Sequence, residues 1–218
     1  MLQAFGNYAR NKNTVLEISE AMEAYNKKVE EAFKNFNPTT STNQEYAKPY
    51  LKYYEGASMT AIAGMKSLGI SPSNGKEIYL KPNGEVTDVW SAEDWVVIGD
   101  TAPKGQGSFG LTASYKEWSV LTSFLYHFGG DAYNSTLVNY VENVNLSNQN
   151  VDRRVLMDRW QNPGDVTQFK RLDGKQFEDE DGTFKSEVTR ATTRFVQDRK
   201  ELSFSSLSVY YEMPKKLI

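Results

Sequence analysis

The chain carries a single histidine and no cysteine, and those two counts close off most of the chemistry a protein this size could do. Without cysteine there is no disulfide framework, no thiolate metal site and no thiol nucleophile. With His127 alone, no paired-histidine metal site can form, and a Ser-His-Asp triad would depend on that one residue. Four other patterns merit chemical scrutiny. Asp179-Glu180-Asp181-Gly182 has the residue types of a calcium loop. Aligning Gly182 with the loop glycine, however, puts Phe177 at the first ligand position and Val188 at the last, and neither can coordinate. A solvated acidic loop is expected instead. Arg153, Arg154, Asp158 and Arg159 could hold an anionic or polar ligand; helical ion pairing at three- and four-residue spacing is the plainer account. Asn134-Ser135-Thr136 and Asn145-Leu146-Ser147 match a glycosylation pattern short enough to recur by chance. His127 falls on the less aromatic face of its segment and is expected to be structural or lumen-facing. No phosphate-binding glycine loop and no carboxylate pair with separable roles is present. The residues therefore point to no enzyme, no catalytic group, no metal and no cofactor.

The elements that must position these residues are mainly β. Ser108 to Phe128 reads as a hairpin. Phe109, Leu111, Ala113 and Tyr115 alternate with Ser108, Gly110, Thr112 and Ser114, the period-2 signature of a strand with one wet face. In the second arm Trp118, Val120, Thr122, Phe124, Tyr126 and Phe128 share a face opposite Ser119, Leu121, Ser123, Leu125 and His127. The arms are about ten residues long and are joined by a very short turn. Tyr115 and Trp118 flank the turn, and Tyr126 and Phe128 close the far end. This is the pattern of a transmembrane hairpin with aromatic girdles. It is equally the pattern of a half-buried hairpin in a soluble sandwich.

Elsewhere, Leu2 to Ala9 can form a strand. Residues 15–36 switch to helical spacing through Leu16, Ile18, Met22, Tyr25, Val29 and Phe33, with mixed charges on the other positions. That predicts a helix covering a core or loop rather than one lying on a membrane. Residues 37–48 form a polar loop. Tyr50 to Gly56 and Met59 to Ile70 read as extended, and Glu77–Leu80 with Glu85–Val89 as a hairpin around Asn83-Gly84. Asp94 to Ile98 is another short extended piece. Residues 129–190 carry little period-2 signal, with helices expected at Ser135–Val144 and Val151–Trp160. Alternation returns at Leu202 and Phe204, then continues through Leu207, Val209 and Tyr211 after a one-residue slip at Ser205-Ser206, which reads as a bulge.

The bulk numbers agree with a protein that is not nucleic-acid binding. Net charge is −3 over 218 residues, with no basic block. Apolar content is 39%, low for a domain filling its own core, while aromatics reach 13%. No run of about 18 apolar residues exists, so no transmembrane helix is expected. The N-terminus shows no basic-then-apolar signal pattern.

Several stretches, taken in order, resemble the C-terminal part of SusC/RagA-type TonB-dependent outer-membrane transporters. They are Tyr54-Glu55-Gly56 with Met59-Thr60-Ala61-Ile62, Gly69-Ile70 with Asn74-Gly75-Lys76-Glu77-Ile78-Tyr79-Leu80, and Gly99-Asp100-Thr101-Ala102-Pro103-Lys104. After the hairpin come Phe128-Gly129-Gly130-Asp131-Ala132-Tyr133-Asn134, Asp152-Arg153-Arg154-Val155-Leu156, Asp158-Arg159-Trp160 and Pro163-Gly164-Asp165-Val166-Thr167. Arg194-Phe195-Val196-Gln197, Leu202 to Leu207 and Tyr211 to Pro214 complete the set.

The resemblance implies an antiparallel meander forming part of a transmembrane β-barrel wall, with long extracellular loops carrying short helices. It makes 15–36 a helical loop, 129–190 a long extracellular loop and Lys116-Glu117 a periplasmic turn. Phe109, Leu111, Val120 and Phe124 would then face lipid, and Tyr133, Arg153, Arg154, Arg159 and Trp160 would be loop contacts to ligand or lid. The implied protein imports oligosaccharides or peptides across the outer membrane, with a SusD-like surface lipoprotein and TonB as partners. Because no plug domain or closing strand is visible, an internal fragment is expected, and the isolated chain is not expected to transport. The alternative, from a different class, is a soluble β-rich module that binds a glycan on exposed Tyr and Trp. The two readings differ in whether the aromatic face points outward or packs on a second sheet.

Overall fold

The computed structural model describes residues 1–34, 47–144, 151–172, 177–178, 184–185 and 189–213. The chain is mainly β and falls into two compact units. The first comprises residues 1–13, 101–131 and 198–218; the second comprises 14–100 and 132–197.

The first unit is built on a four-stranded sheet in the order β1 (Leu2–Ala9), β7 (Gly105–Tyr115), β8 (Trp118–Tyr133), β11 (Val196–Tyr211). The expected hairpin is β7–β8, in register from Gly105↔Phe128 to Tyr115↔Trp118. The Lys116-Glu117 turn holds Lys116 at φ 52°. β1 pairs antiparallel with β7, from Leu2↔Ala113 to Ala9↔Gln106. β8 runs to Tyr133 and β11 starts at Val196, so both exceed their expected lengths. Residues 129–133 are therefore strand rather than loop.

Contacts between β8 and β11 reveal the bulge. His127 meets Glu201 and Phe124 meets Phe204, whereas Ser123 meets Ser206 and Trp118 meets Tyr211. One extra β11 residue lies between these two sets. Phe204 and Ser206, two apart in sequence, consequently lie on opposite faces.

Glycines of β7 admit aromatics from the neighbouring strands. A Cβ on Gly110 would sit 2.4 Å from the Phe5 ring and 2.3 Å from the Thr122 carbonyl. One on Gly107 would meet the Asn7 carbonyl at 2.2 Å and the Tyr126 hydroxyl at 2.7 Å.

The second unit holds every non-glycine residue that is fully buried among the described residues. Helix α1 (Glu20–Lys34) begins at Ser19, whose carbonyl accepts from the Glu23 N–H. It does not reach back to residue 15, because Val15 is tied by backbone bonds to Gly56 and Ala57. Its buried stripe is Asn26, Val29 and Phe33 rather than a line through Tyr25, which is exposed. Asn26 replaces an apolar residue by giving and accepting one bond each with the backbone of Tyr53.

The helix packs its stripe into a core of Ala63, Met65, Tyr79, Ala92 and Trp95, edged by Tyr50, Tyr54 and Trp90. Residues 50–56, expected to be extended, form no strand. The 59–70 segment is two strands, β2 (Ala61–Gly64) and β3 (Lys66–Ile70). They divide at Met65, which bridges to Thr192 instead. β3 pairs with β4 (Glu77–Leu80), and β4 with β5 (Val86–Thr87), the expected hairpin with a shorter second arm. β2 pairs with β6 (Val96–Asp100). β9 (Phe177–Glu178) and β10 (Phe184–Lys185) form a small ribbon.

A second core gathers Ala47, Val138, Val141, Val155, Phe169 and Phe195. Here α2 (Ser135–Leu137), capped by the Asn134 side chain, runs into a π-helical turn, Val138–Glu142. This matches the helix expected at 135–144. The helix expected at 151–160 is absent. Only a 3₁₀ turn forms, Arg153–Val155, and Asp158 takes φ 53°, which no helix accommodates. The acidic run 179–182, the sequon at Asn145 and most of the 37–48 loop lie outside the described residues.

Candidate functional site

The first unit is a sheet with two unlike faces. One carries Phe109, Leu111, Ala113 and Tyr115 from β7, with Trp118, Val120, Phe124, Tyr126 and Phe128 from β8. β1 adds Leu2 and Tyr8. β11 adds Phe204 and Tyr211, which touch Phe124 and Trp118. The opposite face carries Ser108, Thr112, Ser114, Ser119, Ser123 and His127, joined by Glu201 and Ser206.

Aromatic rings run across all four strands of the apolar face. Tyr8 stacks on Phe128 (6.5 Å), which meets Tyr126 (6.4 Å), and Tyr126 meets Phe109 (6.2 Å). Phe109 then stacks on Phe124 (5.1 Å), which touches Phe204 (5.3 Å). At the turn end, Trp118 packs on Tyr211 at 4.8 Å. From Trp118 to Tyr126 is about 26 Å along the strand, or about 20 Å along the normal at a typical barrel tilt.

None of this surface is buried. Among the described residues of this unit only Gly105, Gly110 and Gly130 are buried. Phe109 and Leu111 are 41% and 46% exposed, while Val120 and Phe124 are half-buried between their neighbours. Within this unit the four-stranded sheet has no second described sheet to pack on its apolar side.

The ends of the sheet differ as well. β7 and β8 are joined by two residues at the Tyr115 end. The excursions 10–104 and 134–195 both leave and rejoin at the Phe128 end, because Ala9 lies opposite Gln106 and Gly105 opposite Phe128.

At that end lies an open cleft of about 420 Å³ whose lining includes Asn7, Gln106, Ser108, Leu125, Tyr126 and His127. The Asn7 amide donates to Ser108 Oγ (2.9 Å) and accepts from the Ser108 N–H (2.8 Å). Tyr126 donates its hydroxyl to the Asn7 carbonyl at 3.0 Å. His127 Nε2 stands 3.3 Å from Glu201 Oε2. Asn7, Gln106 and Glu201 were not singled out by sequence reasoning, and their only signal was membership of polar strand faces.

The second unit contains a buried ionic cluster. Arg194 Nη2 lies 2.9 Å from Glu77 Oε2 and 2.5 Å from Glu142 Oε1. Burial works to raise the Glu77 pKa, but Arg194, helped by Ser67 and Lys170, outweighs it and holds this carboxyl below its ordinary value. Thr189 Oγ1 completes the Glu142 side by donating to Oε1.

The expected loop contacts are not gathered into one site. Arg159 is a correction: it is 4% exposed and donates to the carbonyls of Val155 (2.7 Å), Lys170 (2.7 Å) and Val141. It ties three segments together and offers nothing to a ligand. The expected helical ion pairing fails with it. Arg154 instead forks onto Asp152 two residues back (3.0 and 2.7 Å), and that pairing draws the Asp152 carboxyl down to about 2. Arg153 is exposed. Trp160 is half-buried, donates to the Pro72 carbonyl (2.8 Å) and packs its ring on Gly75, where a Cβ would lie 2.5 Å away. Tyr133 is half-buried, with its ring edge-on to Phe195 at 6.2 Å.

No protein family and no curated relative matches this sequence. Solved structures do. The structure of the RagAB peptide transporter aligns with a TM-score of 0.57 at 21% identity, covering 75% of this chain and 17% of that one. The RagAB peptide importer in its closed-closed state aligns with a TM-score of 0.52 at 21% identity, over 75% of this chain and 18% of that one. At this identity the likeness establishes a shared fold. The chain spans less than a fifth of the length of the transporters it matches.

Proposed function

We propose that this chain is a wall segment, with its attached loops, of a SusC/RagA-like TonB-dependent importer of the outer membrane. The observation that carries this reading is the uncovered apolar face. It crosses four strands, ends in aromatics at both edges and has no described layer to bury it. At about 25 cal/mol per Å², leaving such a face in water costs several kcal/mol, and lipid removes that cost. The opposite Ser/Thr face lines an aqueous lumen. The two-residue turn lies on the periplasmic side, and the long excursions, 10–104 and 134–195, are extracellular. In this reading the ligand is an oligosaccharide or peptide, and a SusD-like lipoprotein and TonB act with the whole transporter.

The competing reading is a soluble β-rich module that stacks a glycan on its exposed rings. The aromatic ladder suits it, but Leu2, Leu111, Val120, Leu202, Leu207 and Val209 extend the apolar surface well beyond one sugar site. Sedimentation of the purified chain with and without detergent separates the two. The wall segment is insoluble until detergent is added and then β-rich by circular dichroism. A soluble, monodisperse monomer without detergent overturns the proposal.

A further inference from the structure

We propose that the end of β1 is a docking point for the phosphate of a lipid headgroup, held by Arg10 with Tyr8 and Lys12 beside it. The proposal rests on the apolar face meeting lipid. In that reading Tyr8 and Phe128, stacked at 6.5 Å, lie at the boundary between acyl chains and headgroups on the extracellular side. Arg10 is the first residue past the strand. Ala9 pairs with Gln106, which shares a face with Ser108, so alternation carries Arg10 to the Tyr8 side. Lys12 follows two residues later.

The charge at this end of the sheet is unbalanced. Residues 1–13 contain no Asp or Glu. Arg10 and Lys12 are exposed and form no ion pair among the described residues, and the Tyr8 hydroxyl makes no hydrogen bond there. The carboxylates at the start of β11 are engaged by that strand's own cations, Asp198 by Lys200 (2.6 Å) and Glu201 by Arg199 (3.2 Å). At the turn end, by contrast, Glu117 and Glu212 offset Lys116 and the Met1 ammonium.

A lipid phosphate suits this set. The Arg10 guanidinium presents a planar fork that matches two phosphate oxygens, the Lys12 ammonium adds a mobile point charge, and the Tyr8 hydroxyl can donate to a third oxygen. The acyl chains of such a lipid would cover the Tyr8 and Phe128 rings, which a free phosphate cannot do.

The experiment uses the full chain in detergent micelles. Diphosphoryl lipid A, a phosphorylated glycolipid, is titrated in, and the lipid retained is counted by native mass spectrometry. Saturable binding is expected. Arg10→Gln combined with Lys12→Gln should weaken it about 25-fold, a factor of about five for each charge removed, with the β content unchanged by circular dichroism. Lipid A stripped of its phosphates should bind the wild type as weakly as the intact lipid binds that variant. Arg10→Lys, which keeps the charge, should lose less than about fivefold, and Lys116→Gln at the turn end should lose nothing. Retention indifferent to the double substitution or to phosphate removal overturns the site, as does an equal loss from Arg10→Lys or Lys116→Gln. Full displacement by equimolar inorganic phosphate overturns the lipid as the source of the anion. A Leu111→Cys label quenched by brominated detergent in the same samples shows that such a failure leaves the wall assignment standing. An unquenched label removes the lipid-facing side on which the site depends, and overturns it through that assignment instead.

Discussion

Arg194 shows at the scale of one residue how the second unit holds together. It stands between two buried carboxylates, Glu77 and Glu142. Truncating it leaves both charges without their main partner, so Arg194→Met should cost about 3–5 kcal/mol. Urea denaturation followed by tryptophan fluorescence measures this, since Trp90 and Trp95 sit in the core of that unit. An unmoved midpoint would contradict the assignment. The pH dependence has a definite sign. The folded-state pKa of Glu77 is lowered, so its contribution is fully present above the ordinary glutamate value of about 4.3. It is lost as pH falls from there through the folded-state value. The wild type should therefore lose stability on acidification below pH of about 4, and Glu77→Gln should flatten that slope. Arg159 works differently, because its nearest partners are three carbonyls, with the Glu142 carboxylate farther off at 3.9 Å. Arg159→Met should strand three acceptors and cost about 3 kcal/mol or more.

At the scale of elements, β11 is the sharpest case of what a sequence can and cannot disclose. Period-2 alternation follows directly from strand geometry, so the β7–β8 hairpin and even the slip at Ser205-Ser206 were legible without coordinates. The slip has a testable consequence. Deleting Ser205 should restore a regular ladder with every side chain on its present face, and the detergent-solubilised chain should keep its β content and melting midpoint. Deleting Ser208 should instead turn Val209 and Tyr211 onto the polar face and lower that midpoint. If both deletions behave alike, the bulge assignment is wrong. The segment 151–160 was misread for an equally physical reason. Its Arg and Asp spacing imitates helical ion pairs, yet Arg159 is committed to carbonyls up to eighteen residues away in Val141. The Glu77–Arg194 pair spans 117 positions, and no local pattern announces such a contact. In α1, Asn26 took a core position that periodicity gave to Tyr25, because its amide completes the backbone of Tyr53.

At the scale of the whole molecule, the two units divide the labour of burial unevenly. Residues 14–100 and 132–197 contain both hydrophobic cores and the ionic cluster. The sheet buries only glycines among its described residues and leaves its aromatics uncovered. A water-soluble domain of this size would spend its apolar residues on a core, whereas a wall between lipid and lumen needs none. The low apolar content combined with many aromatics was the sequence's sign of this arrangement, though it could not say which face those aromatics would take. The most direct test uses the absence of native cysteine. Leu111→Cys and Thr112→Cys, adjacent on β7 and on opposite faces, are labelled with the same fluorophore and reconstituted with brominated detergent. Strong quenching at position 111 with little at 112 is the predicted result. Equal quenching, or protection of position 111, would contradict the assignment of the apolar face to lipid.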